Sequence, residues 1–281
     1  MLGAIFGDIV GSVYEFHNIK TKKFRLFDAH SGPTDDSVMT LAVANALVRL
    51  DEVAKRDPAS AQKEDVATCR RKRLDLFKNL LVEEMHILGD KYPYAGYGGR
   101  FGIWLLTKQT EPYGSYGNGS AMRVSPVAWY AQSLEEAIDF AKASAEVTHN
   151  HVEGIKGAIV TAGATYLARS GATMEEIRAF VERYYILDFT LDSIRPIYRF
   201  NETCQMTVPQ AMQAFFESDS FEDTIRNAIS IGGDSDTLAA IAGAVAEAYY
   251  GMNDGEVEAV IQRLDETQRM ILTDFQKRLR R

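Results

Sequence analysis

Two acidic stretches stand at the mouths of apolar segments. Residues 231–237 read I-G-G-D-S-D-T and open onto the run L-A-A-I-A-G-A-V-A, while residues 33–41 read P-T-D-D-S-V-M-T-L. Each sets a threonine and two aspartates (Thr34, Asp35 and Asp36; Asp234, Asp236 and Thr237) before residues that must be buried. One such side chain suffices to cap a helix, and the helix dipole favours a negative charge there by about 0.3–1 kcal/mol. A second carboxylate adds like-charge repulsion and a desolvation penalty. Simple capping therefore competes with a second reading, in which bound divalent cations neutralise the charges. Carboxylate and hydroxyl oxygens are hard ligands suited to Mg²⁺, Mn²⁺ or Ca²⁺. The two clusters, about 200 residues apart, could face each other and hold two ions.

The elements that must position these groups read as helices. Residues 3–16 place Gly3, Gly7 and Gly11 four apart, on one helix face. Each interior glycine costs about 1 kcal/mol against alanine, so their repetition predicts another backbone in close approach. A second apolar helix is expected over 36–50, a loop over 51–63 around Pro58, and a solvated helix over 64–88 with Arg70–Arg73 on its charged face. Residues 89–120, rich in Gly and Tyr, read as a long loop of the kind that often carries function. Ser125-Pro126, the boxes Ser133/Glu136 and Thr173/Glu176, and Ser220 mark further helix starts, and Gly171 stops a small-residue helix over 152–169. Pro209 is expected to open another helix, and a last helix to run from Gly255 to the end. Residues 184–200 stay open between a short strand and irregular chain. With no β-α-β alternation, repeat or composition shift, the expectation is one all-α domain spanning 1–281.

Composition narrows the classes. The 281 residues carry a net charge of −8 and are 46% hydrophobic, enough for a substantial core. The acidic balance argues against a global attraction to nucleic acid or anionic lipid. Two cysteines without C-x-x-C spacing, an N-terminus lacking a basic leader and the absence of a long uncharged apolar run point to a cytoplasmic protein without a membrane span.

Four segments together resemble the ADP-ribosylglycohydrolase family, which includes the dinitrogenase-reductase activating enzyme: G-D-I-V-G-S-V-Y-E (7–15), T-D-D-S (34–37), Y-G-N-G-S-A-M-R (116–123) and G-G-D-S-D-T (232–237). T-H-N-H (148–151) adds support. The resemblance implies an all-α orthogonal helical bundle with two divalent cations, Mg²⁺ or Mn²⁺, and ligands at Thr34, Asp35, Asp36, Asp234, Asp236 and Thr237. It implies hydrolysis at C1″ of an ADP-ribosyl group on a protein or small-molecule acceptor. Glu15 matches the acidic residue that lies close to the scissile ribose in the family; without the family it reads as a surface charge at a helix end.

Cleavage at an anomeric carbon passes through an oxocarbenium-like transition state, which nearby carboxylates stabilise. Glu15 is the candidate to position ribose or water, with Asp35 and Asp234 as rival bases. Under this reading Gly114–Arg123 becomes a diphosphate cradle whose backbone N–H groups close on anionic oxygens, with Gly117, Asn118, Gly119 and Ser120 as contacts; an ordinary turn is the alternative. Tyr97, Tyr113 and Tyr116 either stack on adenine or pack the loop on itself. His149 lies beside the ligand or caps the next helix; with five histidines in the chain, an imidazole metal centre is disfavoured. The rivals are a catalytically silent ADP-ribose binder or structural relative, and a hydrolase of O-acetyl-ADP-ribose or another free ADP-ribose derivative. A helical His-Asp phosphohydrolase would need an adjacent His-Asp pair, and the chain has none.

Overall fold

The structure is a computed structural model and describes residues 1–56 and 65–279. Residues 57–64, which include most of the loop expected around Pro58, lie outside the described residues. Among those described, helices dominate, and the only β pairing is a single antiparallel bridge between Gly117 and Thr203.

Helix α1 (Leu2–Gly11) and helix α13 (Ser235–Tyr250) form the centre, both almost wholly buried. The glycine ladder does what its spacing requires. A methyl group on Gly3 would stand 2.2 Å from the carbonyl oxygen of Gly243, one on Gly7 2.1 Å from that of Ala239, and one on Gly11 2.4 Å from Cα of Asp236. The two backbones touch along three turns, and the contact ends at the second acidic cluster. Helix α1 stops at Gly11 rather than running to residue 16; residues 12–17 turn away and carry Glu15.

Helix α2 (Asp35–Arg56) packs against α1, α3 (Val66–Lys91) and α15 (Glu266–Leu279), and extends into the stretch read as loop. The region read as one long loop takes in the end of α3, all of α4 (Gly99–Leu106) and the start of α5 (Gly119–Met122). Helix α6 (Ser125–Tyr130) opens with Pro126 in its first turn. Ser133 caps α7 (Leu134–Glu146), and Thr173 with Glu176 closes a reciprocal box on α9 (Met174–Val181). Between them α8 (Val152–Arg169) packs on α13, α7 and α5, and Gly171 beyond it has φ +82°. Residues 184–200 contain no strand, only the single turn of α10 (Leu191–Ile194).

Two further expectations are corrected. Pro209 lies inside α11 (Cys204–Phe216), not at its start. The carbonyl of Gln205 loses its intrahelical donor, but Gln205 is exposed and water can replace it. Ser220 caps α12 (Phe221–Ser230) as read. The final helix is two, α14 (Asp254–Ile261) and α15, separated by a turn in which Asp265 and Gln268 exchange hydrogen bonds. Arg70 and Arg73 are structural: they pair with Glu135, Asp139 and Glu136 of α7. Among the described residues no helix is long and apolar enough to cross a membrane.

Candidate active site

The backbone contact between α1 and α13, with the start of α2 beside it, collects six carboxylates: Asp8, Glu15, Asp35, Asp36, Asp234 and Asp236. Oxygens of Asp8, Asp36 and Asp236 lie within 4.8 Å of one another, and so do oxygens of Glu15, Asp234 and Asp236. The two triads share Asp236. Among the described residues no Lys or Arg pairs with any of the six. Burial, followed by neighbouring carboxylates, pushes the pKa values of Asp35, Asp36 and Asp236 well above the ordinary range. Burial also raises Asp8 and Asp234, against the hydrogen bonds they accept. Glu15, half-buried, is pushed up to about 7 by burial and by Asp234, Asp8 and Glu202.

Such an assembly is hard to reconcile with capping. Asp234 makes no side-chain cap bond to α13, and Asp236 Oδ1 accepts from Thr237 N at 3.0 Å, so one carboxylate serves that first turn and the others are surplus to it. Asp36 Oδ1 is buried with no hydrogen-bond partner. An orphaned carboxylate oxygen facing two further carboxylates fits a hard cation, and the shared Asp236 fits two.

Asp8 is the residue that sequence reasoning missed. It is fully buried and accepts from Thr34 N (2.9 Å), Thr34 Oγ1 (2.6 Å), Ser37 N (3.0 Å) and Ser37 Oγ. It thereby fastens the first turn of α2 to α1 and sets the direction of Asp35 and Asp36. The signal was present: a lone charge in the otherwise apolar stretch L-G-A-I-F-G-D-I-V-G. Asn18 was missed as well. Its side-chain amide donates to the carbonyls of Tyr14, Glu15 and Gly233 and its oxygen accepts from Gly233 N at 2.7 Å, tying the Glu15 turn to the turn before Asp234. Gly232 and Gly233 have φ +68° and +82°, which is why that turn needs two glycines.

Asp8→Asn is expected to lower cation affinity and turnover by about ten- to a hundredfold, because the amide nitrogen cannot accept from Thr34 or Ser37. Calorimetric cation titration and initial rates check this; unchanged values would show that α2 is placed without Asp8.

A cavity of 640 Å³ opens on the carboxylates. Asp35, Asp36, Asp234, Asp236, Thr237 and Glu15 line it, together with Tyr113, Tyr116, Gly117, Asn118, Gly119 and His149. Thr237 Oγ1 donates to Asp36 Oδ2 at 3.2 Å, linking the two clusters directly. Thr34 does not line the cavity; its hydroxyl is turned to Asp8. Asn118 points its amide at Asp234 Oδ2 (2.7 Å) and Thr207 Oγ1 (3.1 Å), so its side chain orients a carboxylate. Ser120 is fully buried and donates to Gly154 O at 2.7 Å, which fastens α5 to α8 and keeps its hydroxyl out of the cavity. The cradle is less open than its glycines suggest: the N–H groups of Gly114, Ser115, Gly117 and Asn118 already donate to Asn150, Thr148, Ser115 and Glu202. Those of Gly119 and Ser120 have no such partner among the described residues. His151, not His149, caps α8, accepting from Glu153 N. Tyr97 packs edge-on against Phe101.

A long all-α chain whose first helix, second helix start and thirteenth helix start converge on one carboxylate cluster defines a class. A family model described as ADP-ribosylglycohydrolase matches residues 1–280, and the chain belongs to that family. Among curated relatives it is similar to ADP-ribosylhydrolase ARH3 of Mus musculus, 28% identical over 90% of this chain and 83% of that protein. It is also similar to the ADP-ribosyl-[dinitrogen reductase] glycohydrolase of Rhodospirillum rubrum, 28% identical over 52% of this chain and 50% of that one. ADP-ribosylarginine hydrolase Tri1 of Pseudomonas putida is 30% identical over 49% of this chain and 39% of that protein. A solved structure titled ADP-ribosylglycohydrolase-related protein complex shares the fold, with a TM-score of 0.57, 22% identity and coverage of 99% of this chain and 95% of that one.

Proposed function

We propose that the protein is a divalent-metal-dependent hydrolase, built as one domain over 1–281, that cleaves the C1″ glycosidic bond of an ADP-ribosylated protein side chain or small molecule and releases ADP-ribose. The observation that carries this is the pair of carboxylate triads that share Asp236, whose members other than Asp8 all line the cavity. Asp35, Asp36, Asp234, Asp236 and Thr237 would hold the cations, joined by Thr34 through a lone pair of the hydroxyl oxygen whose proton goes to Asp8 behind them. When bound, two Mg²⁺ or Mn²⁺ ions supply positive charge that orients the ribose hydroxyls and polarises oxygen.

The chain's own groups do the rest. Glu15 enters the cavity beside Asp234, where it can take a proton from water as the water oxygen bonds C1″. The bond from C1″ to the acceptor breaks, its electron pair leaves with the acceptor, and the acceptor takes up a proton. Carboxylates around C1″ offset the positive charge of the oxocarbenium-like state. Asp35 and Asp234 compete with Glu15 for the role of base. Cytoplasmic location, with no membrane partner, belongs to the same proposal; the acidic composition makes nucleic acid a poor partner in general, and an ADP-ribosylated base stays among the acceptors.

The test is release of ADP-ribose from a panel of arginine-, serine- and base-linked substrates and O-acetyl-ADP-ribose. Cleavage of at least one substrate, abolished by EDTA and restored by Mg²⁺ or Mn²⁺, is expected. Glu15→Gln is expected to lower turnover by about a hundredfold or more while ADP-ribose still binds. Full activity in that variant removes Glu15 from the reaction. Binding of ADP-ribose with no cleavage anywhere in the panel makes the protein a silent binder.

A further inference from the structure

Arg123 is among the most buried charges in the protein, 1% exposed at the end of α5, and no carboxylate pairs with it among the described residues. Its Nη2 donates to Ser144 O at 2.8 Å and to Thr148 Oγ1 at 2.9 Å. Thr148, wholly buried, holds its hydroxyl 2.7 Å from Nδ1 of His149. A threonine hydroxyl has one proton. Arg123 occupies a lone pair of that oxygen, and among the described residues Nδ1 is the only acceptor within reach of the proton. If Nδ1 carried a hydrogen instead, the Thr148 proton would be buried with no partner. Thr148 therefore donates, and Nδ1 accepts. Burial, with Arg123 and Arg100 nearby, holds the His149 pKa well below its ordinary value and the ring neutral, so its one proton sits on Nε2.

Nε2 lies against the glycine loop. A methyl group on Gly119 would stand 3.0 Å from it, and one on Gly117 3.6 Å. His149 lines the cavity, and Nε2 has no protein acceptor among the described residues.

We infer that Arg123 and Thr148 are positioning residues that lock His149 as the Nε2–H tautomer, a neutral donor aimed past Gly119 into the cavity at an anionic oxygen of the ligand. The identity of that oxygen, one of the diphosphate, rests on the proposed function; the tautomer does not. Four of the loop amides already donate within the protein, and the His149 ring adds a donor beside the Gly119 amide, which does not. A neutral imidazole also keeps a fixed proton where an imidazolium would bring a second buried charge beside Arg123.

The experiment is a long-range ¹H–¹⁵N correlation spectrum of the ¹⁵N-labelled full chain without ligand, with His149 assigned by its loss in His149→Gln. The expected pattern is a protonated Nε2 and an unprotonated Nδ1. In Thr148→Val this pattern should be lost and the Kd for ADP-ribose should rise about tenfold, with Thr148→Ser restoring both. A protonated Nδ1 in the wild-type protein overturns the inference whether or not the variants fold. So does a Thr148→Val protein that keeps both the wild-type spectrum and the wild-type Kd. If the wild-type protein shows the expected tautomer but binds no ADP-ribose, it is the functional reading that falls.

Discussion

Asp236→Asn is expected to abolish hydrolysis, by on the order of a thousandfold or more, while making the cation-free protein more stable. The two effects have one cause. Asp236 belongs to both triads, so its loss removes a ligand from each proposed cation position. Without cations the same carboxylate is buried among Asp234, Asp36 and Glu15, and its pKa is raised well above the ordinary value by burial first and those charges second. A neutral amide of the same shape relieves about 1–3 kcal/mol of this penalty. In a chain of this size that corresponds to a rise in Tm of several degrees.

The sign with pH follows. A carboxyl whose folded-state pKa is raised contributes stability below its ordinary range, and that contribution is lost as pH climbs through the folded value. Cation-free wild-type protein should therefore lose stability with rising pH, including the step through about 7 set by Glu15. His149 has the opposite sign, so the comparison belongs above its ordinary value of 6.5, where it is neutral in both states. Differential scanning calorimetry in EDTA above that pH should show the decline in wild type and a shallower one in Asp236→Asn. Mg²⁺ should raise the wild-type Tm and leave the variant nearly unmoved. A variant less stable than wild type in EDTA would contradict the reading of Asp236 as an uncompensated buried charge.

Gly7→Ala should be the most damaging single methyl in the molecule. The new Cβ would meet the carbonyl oxygen of Ala239 at 2.1 Å, its carbon at 2.3 Å and Ala240 N at 2.7 Å. These are backbone atoms of a buried helix, so no side chain can swing aside. Overpacking of this kind costs about 1–3 kcal/mol where side chains can shift, and more is expected here. Because Asp8 is the next residue and ties α2 to α1, separation of α1 from α13 also spreads the triads. Activity should fall further than the lost fraction of folded protein explains. Gly32→Ala is the control, since nothing lies within 4 Å of the added carbon. Circular dichroism melts and initial rates separate the outcomes. A Gly7→Ala protein that melts with wild type would mean the helices can part without consequence.

Local sequence revealed the features whose cause is local. The two acidic clusters and the four-residue glycine spacing are contiguous patterns, and each led to the right helices and to the right close contact. The caps at Thr173 and Ser220 were legible for the same reason. The features that depend on distant partners were not. Asp8 looked like one charge in an apolar helix until Thr34 and Ser37 closed on it. Asn18 acquires its meaning only from Gly233. The stretch Gly114–Arg123 read as a cradle or an ordinary turn because sequence cannot show that Asn150 and Glu202 already take two of its amides. Pro209 and the division between α14 and α15 misled because proline and polar residues mark breaks only on average; here an exposed carbonyl and a tight Asp265/Gln268 turn settled the outcome.

The central claim is that buried carboxylates from α1, α2 and α13 bind divalent cations. Isothermal titration of Mn²⁺ into EDTA-stripped, dialysed protein tests it most directly. Two ions per chain in the wild-type protein, with binding lost or severely weakened in Asp236→Asn, is the predicted result. No heat of binding above that of buffer in the wild-type protein would contradict it.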